Sequence, residues 1–390
     1  MISVSEALEQ VLSLFQPVET EEVSLRAAYG RVLAQAAVAT RDQPPFASSA
    51  MDGYAVRAED IRPGATLTVT GESAAGARSD KTVRPGEAVR IFTGAPVPDG
   101  ADRILIQEDC ARDRDVITVG ENLDPRAYVR PSGGDFKAGA TLDAPRLIGP
   151  AEVSLLASMN VATVAVYRRP VVALIATGDE LVMPGETPGA DQIISSNNLG
   201  LAAMIEANGA TPRILPIAPD SEDGLRTTFT LARGADLIVT LGGASVGDKD
   251  LVRKVAGDAG MAQSFYKVAM RPGKPLMAGR LHGKPLIGLP GNPVSTMVCG
   301  HVFLLPALRK MQGLDPEANA FEEATLSADM PENGPRMHYM RARLEGGQVA
   351  PFPRQDSSLL TVLAEANCLL VRDPHDPSQT AGTTVKILRL

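Results

Sequence analysis

The run LIVTLGGASVGDKDLV, residues 237–252, constrains the fold more than any other part of this chain. Its first five residues, apolar but for Thr240, read as a buried strand. Gly242 and Gly243 end that strand abruptly, Ser245 and Gly247 follow, and Asp248 opens an amphipathic helix carrying Leu251, Val252 and Val255. A strand that breaks on glycine and restarts as a helix leaves free backbone N–H groups facing one spot. That spot favours an anion, most often a phosphate. Asp248 and Asp250 share the turn, so a metal-bound phosphate suits it better than a bare one.

The same strand–helix alternation extends over residues 170–312. Strands are expected at 171–176, 213–217, 237–241 and 285–289. A helix capped by Asn197 or Asn198 ends near Gly209, a second covers 221–232 with Leu225 and Phe229 inward, and a third starts with Asn292 as cap and Pro293 at its first position. This is the grammar of a doubly wound α/β domain, whose sites lie at the carboxyl ends of the parallel strands. The loops to inspect are therefore 177–181, 219–223, 242–250 and 290–293.

The flanking chain has a different texture. Residues 4–15 place Ala7, Leu8, Val11, Leu12 and Phe15 at helical spacing, and 24–33 reads as a second short helix. QPPFASSA, 43–50, reads as a linker or hinge. From 52 to about 130, short β-rich runs at 66–70, 88–92, 103–107 and 116–119 are punctuated by Gly, Pro and Asp, as in a small all-β module. Helix returns at 150–159. After residue 315 the chain is β-like again, with strands at 337–344 and 384–390 and a short helix near 359–366.

A net charge of −8 argues against non-specific nucleic-acid binding, and a chain with no Trp and 4% aromatic residues offers no base-stacking platform. An anionic ligand would therefore need a local cationic pocket or a metal. Cys110, Cys299 and Cys368 show no paired spacing and read as reduced cytosolic thiols. The first ten residues have no basic segment of the signal-peptide kind. The apolar stretch 285–308 is interrupted by Gly288, Pro290, Gly291, Asn292 and Pro293, which makes it a strand, turn and helix rather than a membrane span.

Each motif has a plain structural alternative. In TGDEL, 177–181, Asp179 and Glu180 face the crevice or simply favour a helix start. In PDSED, Asp220 taken alone is an ordinary cap. GGASVGDKD fits neither a Walker loop nor a dinucleotide fingerprint. KVAMRPGKP supplies Lys267, Arg271 and Lys274, the positive charge that the acidic chain otherwise lacks; a solvated basic face is the alternative. GLPGNP is a rigid turn at a helix mouth. SSAMDGYAVR puts Asp52 on an Asp-Gly turn, for which a hairpin is the plain reading. RIFTGAPVP puts Thr93 and Gly94 on a similar turn, and VRPSGGDF combines Arg130 with Asp135. The four histidines have no partner at metal-ligand spacing, and His301, in an apolar helix, reads as packed.

Taken in order and spacing, SSAMDGYAVR, RIFTGAPVP, ATGDEL, GGASVGDKD, RPGKP and GLPGNPVS resemble the MoeA-type molybdopterin molybdenumtransferases, whose module also occurs in gephyrin. The resemblance spans essentially the whole chain. It implies an elongated homodimer of four-domain subunits: a discontinuous N-terminal domain of 1–45 and 137–169, an inserted β-rich domain of 46–136, a molybdopterin-binding-like α/β domain of 170–312 and a small C-terminal β barrel of 313–390. It implies a cytoplasmic enzyme that consumes adenylylated molybdopterin and molybdate with Mg²⁺ as cofactor and releases AMP. It leaves room for transient contact with other proteins of molybdenum-cofactor biosynthesis, with no nucleic-acid or membrane partner.

On that resemblance Glu180, Asp220 and Asp250 hold Mg²⁺, whose hard oxygen preference suits carboxylates. Lys267, Arg271 and Lys274 hold anions, molybdate included. Gly242, Gly243 and Ser245 cradle the phosphate or nucleotide beside Pro290 and Pro293. Asp52 and Thr93 enter from the partner subunit, with Arg130 and Asp135 nearby, and Ser357 in the tail matches a site position. Many family members carry lysine where this chain has Arg271, a planar fork in place of a point charge. Two other classes compete: a non-catalytic scaffold on the same fold, which would have no need of three carboxylates around one site, and an enzyme acting on another nucleotide, against which SSAMDGYAVR and RIFTGAP argue.

Overall fold

The computed structural model describes residues 1–242, 251–317 and 321–390. Its central sheet has six strands in the order Thr211–Ile214, Val171–Ala176, Leu237–Leu241, Lys284–Leu289, Met277–Leu281, Ala262–Tyr266. The first four are parallel, with Val172 between Pro212 and Leu237, and Ile238 opposite Leu286. Met277–Leu281 runs antiparallel to both its neighbours, Lys284–Leu289 and Ala262–Tyr266. One face buries Leu174, Val239 and Ile287 under the helices Val4–Ser13, Asn197–Ala207 and Pro293–Cys299; the other buries Ile175 and Ile238 under Leu225 and Phe229 of Glu222–Leu231 and Val252 and Val255 of Leu251–Asp258. Burial on both faces is why these strands read as continuous apolar runs. The domain is doubly wound, as expected.

Two local expectations need correction. The strand expected at 213–217 runs from Thr211 to Ile214, because Pro216 has no N–H to give the ladder. Leu215 N–H still donates to Leu174 O at 3.0 Å, but the next rung is Ala218 N–H to Ala176 O at 2.8 Å. The N-cap position of the preceding helix, Asn197–Ala207, is Ser196, one residue before Asn197.

In the N-terminal part, Val4–Ser13 opens on a capping box: Ser3 Oγ accepts the Glu6 N–H at 3.1 Å, and the Glu6 carboxylate accepts the Ser3 N–H at 2.8 Å. The helix expected over 24–33 is a single turn, Leu25–Ala28. Val32–Leu33 is drawn instead into strand pairing with Arg146–Leu147, a tertiary contact that overrides local propensity. Thr20–Ser24 pairs with Thr163–Tyr167, so the chain leaves this small sheet and returns to it. The intervening chain folds as a six-stranded sheet containing Gly53–Val56, Thr66–Ser73, Glu87–Ile91, Arg103–Ile106, Cys110–Asp113 and Val116–Val119. Residues 43–50 are no loose linker. Gln43 N–H donates to Phe136 O at 2.8 Å, and buried Ser48–Ser49 pairs with Val129–Arg130. The Asp52-Gly53 turn makes no hairpin either, since Gly53–Val56 pairs with Glu87–Ile91 and Arg103–Ile106.

The C-terminal strands Glu322–Leu326, Met337–Glu345, Gln348–Pro351, Cys368–Arg372 and Thr384–Arg389 close into a five-stranded barrel around Leu326, Ala342, Val349, Leu370 and Ile387. Met270–Arg271, from the α/β part of the chain, adds to its wall in parallel, with Met270 opposite Met337 and Arg271 opposite His338. Among the described residues no helix is long and apolar enough to cross a membrane.

Candidate functional site

The carboxyl ends of the parallel strands are stitched into one rim. Gly242 N–H donates to Leu289 O at 3.2 Å, Thr177 N–H to Leu241 O at 3.1 Å, and Gly178 N–H to Ala218 O at 3.2 Å. Over this rim lies a cavity of about 1150 Å³. Of the residues singled out from the sequence, Glu180, Asp220, Gly242, Pro290 and Pro293 line it. Glycine is required where these loops crowd. Gly178 has φ 142°, and a Cβ there would lie 2.3 Å from Glu180 Oε2, so the Glu180 carboxylate folds back over a bare backbone. Gly242 has φ 87°, and a Cβ on Gly291 would lie 3.4 Å from Gly242 Cα.

The two acidic loops divide their labour. Asp179 Oδ1 accepts the Asp220 N–H at 3.0 Å and so fixes one loop to the other. Ser221, rather than Asp220, caps the next helix through a 3.1 Å bond from Gly224 N–H. That leaves the Asp220 side chain on the cavity wall beside Glu180. Gly243, Ser245, Asp248 and Asp250 lie outside the described residues. Among the described residues no group of three His, Cys, Asp or Glu is placed to hold a metal ion.

Asn292 and Pro293 open their helix as expected, but the Asn292 side chain does not cap it. Its Nδ2 donates to Ser357 Oγ at 3.0 Å, and Ser357 O accepts the Val294 N–H at 3.0 Å. The tail thus reaches the rim at Ser357, and its neighbour Ser358 lines the cavity. Lys267, Arg271 and Lys274 sit on a shaped loop, closed by Lys267 N–H to Leu276 O and Val268 N–H to Lys274 O, each 3.0 Å. Lys267 Nζ rests 5.0 Å from the centre of the Tyr266 ring. Among the described residues none of the three cations forms an ion pair, and only Pro275 of this loop lines the cavity.

The remaining candidates line no part of this cavity: Asp52 and Thr93 sit at strand ends of the six-stranded sheet, Arg130 on a separate two-stranded pairing and Asp135 in a loop. Asp52 Oδ1 accepts both the N–H and the Oγ1–H of Thr93, each at 2.7 Å, and these two bonds hold its carboxyl below the usual carboxylate range. Gly94 N–H donates to Ser49 O at 2.8 Å, and Arg130 stands opposite Ser48, so the Asp52–Thr93 turn and Arg130 flank the same two-residue strand. Asp135 is exposed, its N–H bonded to Gln43 O at 2.9 Å.

Two residues of the site went unread in the sequence, and Asn197 was read only as a helix cap. Lys254, ion-paired with Glu222, lines the cavity from the helix after the glycine loop. Asn197 reaches across the rim to Gly291 O at 2.7 Å. Arg341, only 1% exposed, bonds Gln355 Oε1 and Leu359 O, both at 3.3 Å, beneath the segment that carries Ser357 and Ser358. His301 is packed, as expected, and burial holds its pKa down to about 4.

Three family models match in order along the chain: the MoeA N-terminal region, domains I and II, at residues 2–160; a probable molybdopterin binding domain at 173–310; and the MoeA C-terminal region, domain IV, at 323–390. The molybdopterin molybdenumtransferase of Haemophilus influenzae is 33% identical over 397 residues, covering 99% of this chain and 98% of that protein. This chain belongs to the molybdopterin molybdenumtransferase family. Molybdopterin molybdenumtransferase 2 of Mycobacterium tuberculosis is 36% identical over 404 residues, with 99% of each chain covered. The solved structure of the molybdopterin biosynthesis MoeA protein from Pyrococcus horikoshii OT3 superposes with a TM-score of 0.86 at 28% identity, all of both chains covered. The molybdenumtransferase family match thus takes in both groups of candidate residues.

Proposed function

We propose that this protein is a transferase of molybdenum-cofactor biosynthesis that inserts molybdate into adenylylated molybdopterin, with cleavage of the pyrophosphate link and release of AMP. One observation carries the reading. Within the region matched by the molybdopterin-binding model, the Glu180 and Asp220 carboxylates and a glycine-built rim line a single large cavity at the carboxyl ends of the parallel strands. That is the place where a doubly wound fold binds nucleotides and phosphates.

The residues have separate tasks in this proposal. Lys267, Arg271 and Lys274, free of ion pairs among the described residues, attract molybdate and the phosphates. Gly242 and the 290–293 turn keep side chains out of the way of the pterin phosphate, and Gly243 and Ser245 continue that loop. Asp52 and Thr93, with Arg130 and Asp135 beside them, serve the cleft of a second copy in a homodimer. Glu180 and Asp220 are the donor type Mg²⁺ takes, which needs only one or two carboxylates together with substrate phosphates; Asp250 would join them. Bound Mg²⁺ neutralises charge on the phosphates. The four-part division at 45/46, 136/137, 169/170 and 312/313, a cytoplasmic setting and transient contacts with neighbouring enzymes of the same biosynthesis belong to the same proposal.

The test is AMP formation by the purified protein given adenylylated molybdopterin, molybdate and Mg²⁺. AMP should appear only when molybdate is present. Absence of molybdate-dependent AMP overturns the reading.

A further inference from the structure

The underside of the Asp52–Gly53 turn is occupied by one arginine that the sequence did not single out. Arg90 stands on Glu87–Ile91 directly opposite Tyr54. Its guanidinium lies over two aromatic rings, 5.1 Å from the centre of Tyr54 and 4.9 Å from that of Phe92. The edge of the same group is bonded twice: Nη1 donates to Gly53 O at 3.2 Å and Nη2 to Gln107 Oε1 at 2.8 Å. Gln107 in turn gives its backbone N–H to Asp52 O at 3.2 Å. Gly53 has little room to shift, since a Cβ there would stand 2.1 Å from Leu105 O. The peptides on the two sides of Gly53 are therefore held in turn, Asp52 O by the Gln107 N–H and Gly53 O by Arg90, while Thr93 grips the carboxylate.

We propose that Arg90 is a positioning residue for this reaction, its stacked two-pronged guanidinium holding the Asp52–Gly53 turn where Thr93 can grip Asp52. The inference rests on the reading that Asp52 serves the reaction. Lysine at this position keeps the charge, but a single ammonium cannot lie flat on two rings while its separate donors engage Gly53 O and Gln107 Oε1. The cost is geometric, and displacing a reacting group by an ångström is worth up to about 100-fold in rate.

The test uses the full-length protein with Mg²⁺, molybdate and adenylylated molybdopterin, comparing Arg90→Lys, Asp52→Asn and the double variant. Arg90→Lys should lower kcat by about tenfold or more with KM changed less than about twofold. In the Asp52→Asn background it should cost nothing further, because Arg90 acts through Asp52. Should Arg90→Lys fail to fold, Gln107→Leu removes one prong on an exposed side chain and should lower kcat in the same way. Wild-type kcat in Arg90→Lys, or in Gln107→Leu where it stands in, overturns the proposal and leaves the Asp52 reading intact if Asp52→Asn is inactive. A rise in KM alone makes Arg90 a substrate contact and also overturns it. So does a double variant that loses the full factor of each single one. Full activity in Asp52→Asn removes the Asp52 reading and the role of Arg90 together.

Discussion

Asp52 commits one carboxylate oxygen to Thr93, and among the described residues the other accepts no hydrogen bond. Both bonds favour the charged form, so the carboxyl ionises below its usual range. Thr93→Val deletes the hydroxyl donor and keeps the backbone one. The Asp52 pKa should then rise toward the ordinary carboxylate value, and the acid limb of the pH–activity profile should move to higher pH; an unmoved limb would dissociate Asp52 from that limb. Gly178→Ala makes a different prediction. The new Cβ would collide with the folded-back Glu180 carboxylate and strain a backbone at φ 142°, so the Mg²⁺ concentration giving half-maximal activity should rise several-fold and the melting temperature should fall. Such residues were partly legible. Asp52 and Thr93 stood out only through the family resemblance of SSAMDGYAVR and RIFTGAPVP, since spacing alone favours a plain hairpin at Asp52, whereas Glu180 stood out through its place after a buried strand. The division of roles between Asp179 and Glu180 depends on which oxygen meets the Asp220 N–H across loops 41 residues apart, and local pattern carries no such information.

The elements that read most clearly are those whose neighbours impose least on them. Leu237–Leu241 and Val171–Ala176 are buried on both faces, so their composition alone marks them. The two-residue strands Val32–Leu33 and Ser48–Ser49 have no period to detect and exist only because a distant segment pairs with them. The antiparallel strands Ala262–Tyr266 and Met277–Leu281 escaped for a related reason: the first exposes most of its residues at the sheet edge, and its register slips between Gln263 and Phe265. The first helix shows the opposite case, a local signal that tertiary structure uses. Ser3→Ala removes the hydroxyl half of its capping box and should cost about 1 kcal/mol. Since Val4, Ala7 and Val11 pack into the core of the α/β domain, this should appear as a drop of about 2–4 °C in melting temperature.

At the scale of the molecule, Arg168 is the bolt between the N-terminal sheet and the α/β sheet. Its guanidinium bonds both oxygens of Asp236, at 2.6 and 2.7 Å, and also Glu19, while Asp236 accepts the Val171 N–H at 2.8 Å. Burial pushes the Asp236 carboxyl up, but Arg168 and Val171 outweigh it, and its pKa lies below the ordinary value. A depressed carboxyl contributes stability that is fully present above its unfolded value, near 3.9, and is lost as pH falls through the lower folded value. Asp236→Asn should therefore hasten proteolytic cleavage near residues 168–171 at neutral pH and remove part of the acid-induced loss of stability; equal cleavage rates in the two proteins would count against the bolt. A second joint lies at Met270–Arg271, which is both the root of the cationic loop and a stave of the barrel wall. Turn the barrel and the Arg271 guanidinium turns with it. Trimming the tail would thus take away the footing on which this chain aims its positive charge.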